Sequence, residues 1–182
     1  MQLPTYDVHQ HFAGFDERVE QAWDHLRGVP ALDRLFYAAS EVGDFGLLWM
    51  AIAAGQAAFG PPDKLPAALR MAAALGIESL IVNVGIKSLF RRDRPDWHQD
   101  RPHALRRPKT SSFPSGHATS AVTALLLLTE RGTPWWPVYT AAAGMVAGSR
   151  VHVKIHHASD VVGGLLVGAV LGTAFKRLLP LA

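Results

Sequence analysis

Five apolar runs, separated by polar segments, occupy most of the chain beyond residue 43. They cover residues 45–59, 66–89, 116–129, 135–149 and 159–179. A helix needs about 20 apolar residues, within a range of roughly 17 to 25, to cross the hydrocarbon core of a bilayer. The second and fifth runs meet that length. Each of the other three, taken alone, also fits a buried helix of a soluble protein.

Glycines and interfacial side chains in these runs favour the membrane. Small residues at four-residue spacing let helices approach closely in lipid, and two such rows occur here: Gly144 and Gly148, then Gly164, Gly168 and Gly172. Trp135 and Trp136 begin the fourth run, where tryptophans of a membrane interface belong. Lys176 and Arg177 end the last run as charges that snorkel towards water. We therefore predict an all-α fold, a polytopic bundle of about five transmembrane helices in the cell membrane.

The first 43 residues are polar and carry a different pattern. Residues 16–27 and 30–42 each place apolar side chains at the three-four spacing of one helix face, with Asp and Glu opposite. Pro30 is well placed to begin the second helix. The pattern predicts a pair of amphipathic helices on the protein surface or at the membrane interface. We treat the chain as a single domain, with residues 1–43 as this helix pair and 44–182 as the helical core.

Charge and composition narrow the class further. The 182 residues include no cysteine, which excludes disulfides and thiolate metal sites. The N-terminus lacks the basic start and apolar stretch of a secretory signal. With five spans, residues 1–43, the loop 88–115 and the loop 149–158 share one membrane face. That face holds 13 of the 18 Lys and Arg residues, so the positive-inside rule places it in the cytoplasm.

The basic loop between the second and third runs, residues 91–109, has two interpretations. A solvated stretch or a nucleic-acid patch would have this charge, but no recognised nucleic-acid module accompanies it. Attraction of anionic lipid headgroups fits better, with Trp97 as an interfacial anchor. We expect a membrane partner and no nucleic acid.

The segment PSGH, Pro114 to His117, has the features of an anion site. It precedes an apolar helical run, so the amides of Ser115, Gly116 and His117 would be unpaired donors at a helix N-terminus. The helix dipole favours negative charge there. An ordinary helix cap by Ser115 explains the same residues equally well.

The segment SRVHVKIHHASD, Ser149 to Asp160, adds a candidate nucleophile. His156 and Asp160 are four residues apart, so on a helix the carboxylate would hold one imidazole nitrogen and leave the other to attack. Arg150 supplies a forked donor for phosphate. Lys87 and Arg94, at the end of the second run, add two more cations.

Together these groups suit hydrolysis of a phosphate ester. Cations and a helix N-terminus would hold the phosphoryl oxygens while His156 attacks phosphorus and forms a phosphohistidine. His117 would protonate the leaving oxygen and then activate water. Short loops in a small domain leave little room for a large soluble substrate, which favours a lipid whose tail stays in the bilayer.

The three segments resemble the three-part signature of the type 2 phosphatidic acid phosphatase superfamily. Lys87 with Arg94-Pro95, then PSGH, then Arg150 with His156 and Asp160, follow that signature in order and spacing. The resemblance implies that His156 is the nucleophile, Asp160 its partner and His117 the acid. It also implies a phosphate site made by the remaining motif residues, with no metal and no cofactor: Lys87, Arg94, Ser115, Gly116 and Arg150. Substrates that it implies are phosphatidic acid, phosphatidylglycerol phosphate and polyprenyl phosphates or diphosphates.

Other interpretations stay open. His152, His156 and His157 have spacing that a metal cluster could use, although the surrounding cations oppose it. Glu78, deep in the second run, is either a partner for another polar group or part of the substrate cleft. The superfamily includes vanadium haloperoxidases, so a vanadate-dependent oxidase is a rival function. A non-catalytic phospholipid-binding membrane protein is another.

Overall fold

Seven α-helices make up most of the chain in a computed structural model, which describes residues 6–7, 9–96, 102 and 105–181. The helices are α1 His9–Asp24, α2 Pro30–Val42, α3 Leu47–Phe59, α4 Lys64–Leu80, α5 Gly116–Thr129, α6 Trp136–His152 and α7 Ala158–Leu178. A π-helical segment (Ile81–Gly85) and a 3-10 turn (Ile86–Leu89) prolong α4, and a 3-10 turn (Asp44–Gly46) joins α2 to α3. Strands β1 (Tyr6–Asp7) and β2 (Phe90–Arg91) pair in parallel. Trp97, the predicted anchor, lies outside the described residues.

Among the described residues, two helices are long and apolar enough to cross a bilayer. They are α4 with its prolongation, Lys64–Leu89, at 26 residues, and α7, at 21 residues. They match the predicted runs 66–89 and 159–179 within two residues. A third span arises if α2 and α3, which meet at a 62° bend, are counted together. The predicted helical membrane bundle is therefore confirmed. Helices α3 and α5, at 13 and 14 residues, are shorter than a full span, and α6, at 17 residues, is at the lower limit.

The glycine row of α7 brings this helix against α5. A Cβ at Gly164 would lie 2.5 Å from the carbonyl oxygen of Ser115, and one at Gly168 would lie 2.5 Å from that of Thr119. Backbone atoms cannot move aside as side chains do, so the close approach requires glycine. The prediction was wrong for the row in α6, because a Cβ at Gly144 would meet nothing within 4 Å.

The N-terminal helices pack on the polar end of the bundle. Gly28, at φ +80, separates α1 from α2, and Pro30 begins α2 as predicted. The indole Nε1 of Trp23 donates to Nδ1 of His152, 3.2 Å away, and Nε2 of the same ring lies 2.8 Å from Oδ1 of Asp33. Arg27 donates to the carbonyl oxygens of His152 and Val151. The helix pair is thus tied to the end of α6, and His152 is the point of attachment.

Candidate active site

Three helix ends and one turn surround a cavity of about 340 Å³. The end of the prolonged α4 contributes Lys87, the start of α5 contributes Gly116 and His117, and the end of α6 contributes Arg150. His156 comes from the turn between α6 and α7. Five of the eight predicted site residues therefore line one space, which we call the central cavity. The other three lie beside it.

Asp160 holds the ring of His156 from behind. Its Oδ2 lies 3.5 Å from Nδ1 of His156, although His156 precedes α7 and is not helical, contrary to the sequence expectation. The reason is that α7 begins only at Ala158, and the backbone N–H of His157 donates to the same Oδ2 at 2.9 Å. Asp160 thus caps its own helix and contacts the imidazole at once.

Arg94 reaches the other nitrogen of the same ring. Its Nη1 lies 3.2 Å from Nε2 of His156. A guanidinium is a donor without acceptor capacity, so Nε2 receives this hydrogen bond and the ring proton belongs on Nδ1, facing Asp160. The remaining Arg94 donors bind carbonyl oxygens of Pro108, Thr110, Ser111 and Ile155. Arg94 therefore fastens the loop as well as facing the candidate nucleophile.

The environment of His156 favours its neutral form. The side chain is 3% exposed, and burial, with the nearby charges of Arg150 and Arg94, lowers its pKa well below the usual 6.5 despite the hydrogen bond to Asp160. A neutral imidazole with its proton on Nδ1 leaves the Nε2 lone pair unprotonated at neutral pH, and here this lone pair accepts the hydrogen bond from Arg94. Burial also lowers the pKa of Arg94 to about 10, which leaves this group charged under the same conditions.

Residues that the sequence analysis missed fix Asp160. Its Oδ1 accepts from Nη1 of Arg92 at 2.6 Å, and its Oδ2 accepts from the hydroxyl of Ser112 at 2.5 Å. Nη2 of Arg92 donates in turn to Asp16 of α1 at 2.5 Å. Asp16 also accepts from the backbone N–H and the hydroxyl of Ser159, both at 2.8 Å. A buried chain of charges thus runs from α1 to the carboxylate behind His156.

The sequence did contain a signal for Asp16. The expectation that the acids of this helix lie opposite its apolar face was wrong there. Asp16 stands three residues before Val19 and seven before Trp23, so it shares the face that packs against the bundle. An acid at a buried register position of a helix needs a partner. Arg92, within the segment from Lys87 to Arg94, is that partner.

His117 is oriented by the bend between α2 and α3. Its Nε2 lies 3.1 Å from the carbonyl oxygen of Ser40 and 3.3 Å from Oδ1 of Asp44. A Cβ at Gly43 would lie 2.8 Å from the imidazole Cδ2, so glycine permits this approach. Both neighbours are acceptors, which places a proton on Nε2 and leaves Nδ1 as the second nitrogen. Asp44 had no role in the sequence analysis.

The start of α5 carries a helix cap beside the central cavity. The hydroxyl of Ser115 is fully buried and accepts from the backbone N–H of Ala118, so it caps the helix, as one of the two sequence interpretations expects. Ser115 does not line the central cavity, and Gly116, at the first helical position, does. Arg150 donates through Nη1 to the hydroxyl of Ser40. Phosphate binding by these residues stays a prediction.

The histidines of a possible metal cluster point to different partners. His152 binds Trp23 and Asp33, His156 lies between Asp160 and Arg94, and Nε2 of His157 lies 3.3 Å from the carbonyl oxygen of Asp93. Within residues 6–7, 9–96, 102 and 105–181, no group of three or more His, Asp or Glu side chains has a metal-ligand arrangement. Glu78 lines the central cavity, as one sequence interpretation expects.

Comparison with known proteins places these features in a family. A model of the PAP2 superfamily matches residues 67–181. The decaprenylphosphoryl-5-phosphoribose phosphatase of Mycolicibacterium smegmatis is 34% identical over 142 residues, which cover 76% of this chain and 74% of that protein. The undecaprenyl-diphosphatase BcrC of Bacillus subtilis is 32% identical over 108 residues, 56% of this chain and 53% of BcrC.

Solved structures agree with the fold. The transmembrane PAP2 type phosphatidylglycerolphosphate phosphatase from Bacillus subtilis superposes with a TM-score of 0.69 at 25% identity, covering 92% of this chain and 85% of the other. LpxE of Aquifex aeolicus gives a TM-score of 0.66 at 20% identity, covering 88% and 93%, and this likeness concerns the fold. From the family match, the relatives and the bundle together, we conclude that this chain is a membrane protein of the PAP2 superfamily and a phosphoric ester hydrolase.

Proposed function

We propose that the chain removes phosphate from a lipid phosphate monoester or diphosphate through a phosphohistidine, without a metal, as a multi-pass protein of a bacterial plasma membrane. One observation carries the proposal: two histidines and two cationic side chains line the same cavity at the polar end of membrane helices. They are His117, His156, Lys87 and Arg150. A lipid whose tail lies in the bilayer has its headgroup at this depth.

In the first step, Nε2 of His156 attacks phosphorus. The bond from phosphorus to the leaving oxygen breaks, and this oxygen takes a proton from His117. Asp160 retains the proton on Nδ1 of His156 and stabilises the ring as it becomes positively charged. The lipid alcohol, or the lipid monophosphate in the case of a diphosphate, leaves, and the phosphoryl group stays on Nε2.

In the second step, water releases the phosphoryl group. The water oxygen attacks phosphorus and gives its proton to His117, which now acts as a base. The bond between phosphorus and Nε2 breaks, its electron pair returns to His156, and inorganic phosphate departs. Lys87, Arg150 and the amide of Gly116 balance charge on the phosphoryl oxygens throughout, so the scheme needs no metal ion.

The relatives suggest the substrate class. Two of them act, by their names, on decaprenylphosphoryl-5-phosphoribose and on undecaprenyl diphosphate, and a third on phosphatidylglycerol phosphate. All three are phosphorylated lipids. We therefore place the substrate of this chain among polyprenyl phosphates or diphosphates and phosphorylated glycerolipids.

A single-turnover experiment tests the proposal. Purified protein in detergent is mixed with lipids that carry ³²P in the terminal phosphate, and the reaction is stopped with alkaline detergent, because acid hydrolyses the bond between phosphorus and an imidazole nitrogen. Both released phosphate and protein-bound label are measured. We expect transient label that is stable to alkali and is absent from His156→Ala, while chelator leaves the rate unchanged. His25→Ala, an exposed histidine of the turn after α1, serves as the control. Absence of phosphate release from every lipid phosphate would refute the proposal, and sensitivity to chelator would refute its metal-free form.

A further inference from the structure

A second cavity lies at the end of the bundle opposite to the central cavity. It has a volume of about 270 Å³ and lies where α3 and α5 end, α4 begins and α5 turns into α6. We call it the distal cavity, because α4 contributes its first turns here and its other end to the central cavity. None of the described residues that line the distal cavity is acidic, whereas three are cationic: Lys64, Arg70 and Arg131. This charge selects for an anion.

Arg70 is a buried cation whose donors the surrounding protein does not fully satisfy. It is 8% exposed and lies six residues after Lys64, about 9 Å further along the span. Its Nη1 pairs with Glu130 and its Nη2 lies 3.4 Å from the carbonyl oxygen of Phe175, but none of the described residues accepts a hydrogen bond from its Nε. A guanidinium stays charged, and a buried donor without an acceptor is costly. The expected partner is an oxygen of a ligand, and phosphate suits a guanidinium best.

Lys64 adds positive charge to that of the pair formed by Arg70 and Glu130. It is half-buried, and no ion pair between described residues includes it. Because Glu130 balances the charge of Arg70, Lys64 supplies attraction for an anion beyond this pair. Arg131, whose Nη2 donates to the carbonyl oxygen of Leu181 at 3.2 Å, completes the cationic wall.

The surroundings of the distal cavity indicate a lipid as the source of the phosphate. Trp135 and Trp136 directly follow Pro134 of the cavity wall and are 61% and 59% exposed, as tryptophans of a membrane interface are. The rest of the wall is largely apolar, with Ala53, Ala67, Ala68, Met71, Leu127 and Leu128. A phosphate at the cations with hydrocarbon against this apolar wall has the arrangement of a phospholipid, and basic pockets between membrane helices bind such headgroups.

We propose that the distal cavity binds the phosphate of an anionic phospholipid in the membrane leaflet opposite to the proposed active site, with Lys64 and Arg70 as its ligands. No histidine is among the described residues that line this cavity, so it lacks the groups that the catalytic scheme needs. The lipid is therefore held as a bound component and is not cleaved. This site is separate from the proposed phosphatase function.

Native mass spectrometry of the protein released from detergent tests the inference. Phosphatidylglycerol and phosphatidylcholine with the same acyl chains are compared by their dissociation constants. For the wild type we expect phosphatidylglycerol to bind at least about tenfold more tightly, and Lys64→Gln should lower this preference about fivefold. Arg177→Gln is the matched control, because it removes the same charge at the same end of the bundle from an exposed residue outside the cavity, and it should leave the preference unchanged.

The double variant Arg70→Gln with Glu130→Gln separates direct binding from general attraction. It removes the buried cation together with its counter-ion, so net charge is unchanged and no buried charge is left unpaired. The preference for phosphatidylglycerol should fall below about threefold, whereas a purely structural role of the pair would weaken stability in both lipids and leave the preference intact. If the double variant does not fold, Lys64→Gln against Arg177→Gln decides. Equal binding of the two lipids by the wild type, or an unchanged preference in Lys64→Gln or in the folded double variant, would overturn the inference without bearing on phosphatase activity.

Discussion

At the scale of single residues, the two histidines of the cavity have environments that suit different proposed roles, a nucleophile for His156 and an acid for His117. His156 has acceptors on the Nδ1 side and a guanidinium at Nε2, and burial lowers its pKa well below 6.5. It therefore stays neutral as pH falls through 6.5, which suits a nucleophile. Burial and the charge of Arg150 lower the pKa of His117 as well, but its Nε2 contacts two acceptors, the Ser40 carbonyl and the Asp44 carboxylate, which oppose this shift and support the protonated ring. That arrangement suits an acid.

The proposed acid role of His117 predicts a selective effect of Asp44→Asn. Without the carboxylate, His117 loses support for its protonated form, so departure of a poor leaving group should slow by about tenfold or more. An aryl phosphate needs little protonation of its leaving oxygen and should be cleaved at nearly the normal rate. Single-turnover rates with alkyl and aryl phosphates of the same lipid tail measure the difference.

A distant carboxylate supplies the control for this experiment. Asp63, exposed in the turn before α4, lies outside the residues that line the central cavity, and Asp63→Asn should leave both rates unchanged. Equal losses with alkyl and aryl substrates in Asp44→Asn would show that Asp44 acts on something other than proton transfer from His117.

At the scale of elements, α1 supports the site from outside the stretch that matches the family model. That match covers residues 67–181, whereas Asp16 stands well before it and contacts both Arg92 and Ser159. Arg92 then binds the carboxylate that faces His156. The N-terminal helix is thus more than an interfacial attachment, because it fixes the direction of Asp160.

We expect Asp16→Asn to lower kcat by up to about 100-fold with little change in KM. The substitution removes one of the two buried carboxylates between which Arg92 is held, Asp16 and Asp160. Arg92 and Asp160 then shift, and the imidazole of His156 loses its productive direction. Glu17→Gln, at the neighbouring exposed position of the same helix, is the matched control. The kcat and KM of the variant are measured well below its unfolding temperature, so that lost activity reflects a misplaced Asp160 and not unfolded protein. A rise in KM with unchanged kcat would contradict a positioning role for Asp16.

The sequence predicted most elements because the patterns that reveal them are local. The runs that became α4 and α7 are long and apolar, and the motifs at Lys87, His117 and His156 have fixed spacing. The contacts of Asp16 and Asp44 were missed, since they join residues 76 and 73 positions apart. The second of these contacts depends on the bend between α2 and α3, where Phe45 has φ 54. No periodicity in the sequence indicates that turn.

At the scale of the whole molecule, the described structure separates two ends along the helices. The proposed site, the helix pair α1 and α2 and the loop after β2 lie at one end. The ion pairs of Arg92 with Asp16 and Asp160 show this for α1, and the contact between His152 and Asp33 shows it for α2. The turn between α3 and α4 and the turn between α5 and α6 lie at the other. The site end carries most of the Lys and Arg residues, and positive charge is retained on the cytoplasmic side of membranes.

We therefore expect the site end to face the cytoplasm, and the absence of cysteine makes this testable without further engineering. Single cysteines replace Glu17 on α1 and Asp63 before α4, two exposed positions at opposite ends. In intact spheroplasts of a bacterial host, a membrane-impermeant maleimide should label Asp63→Cys at once and Glu17→Cys only after lysis, and both variants should keep phosphatase activity. The reverse labelling order would place the proposed site on the outer face. The count of Lys and Arg would then have misled, because three of the cations at the site end, Lys87, Arg94 and Arg150, are there to bind phosphate.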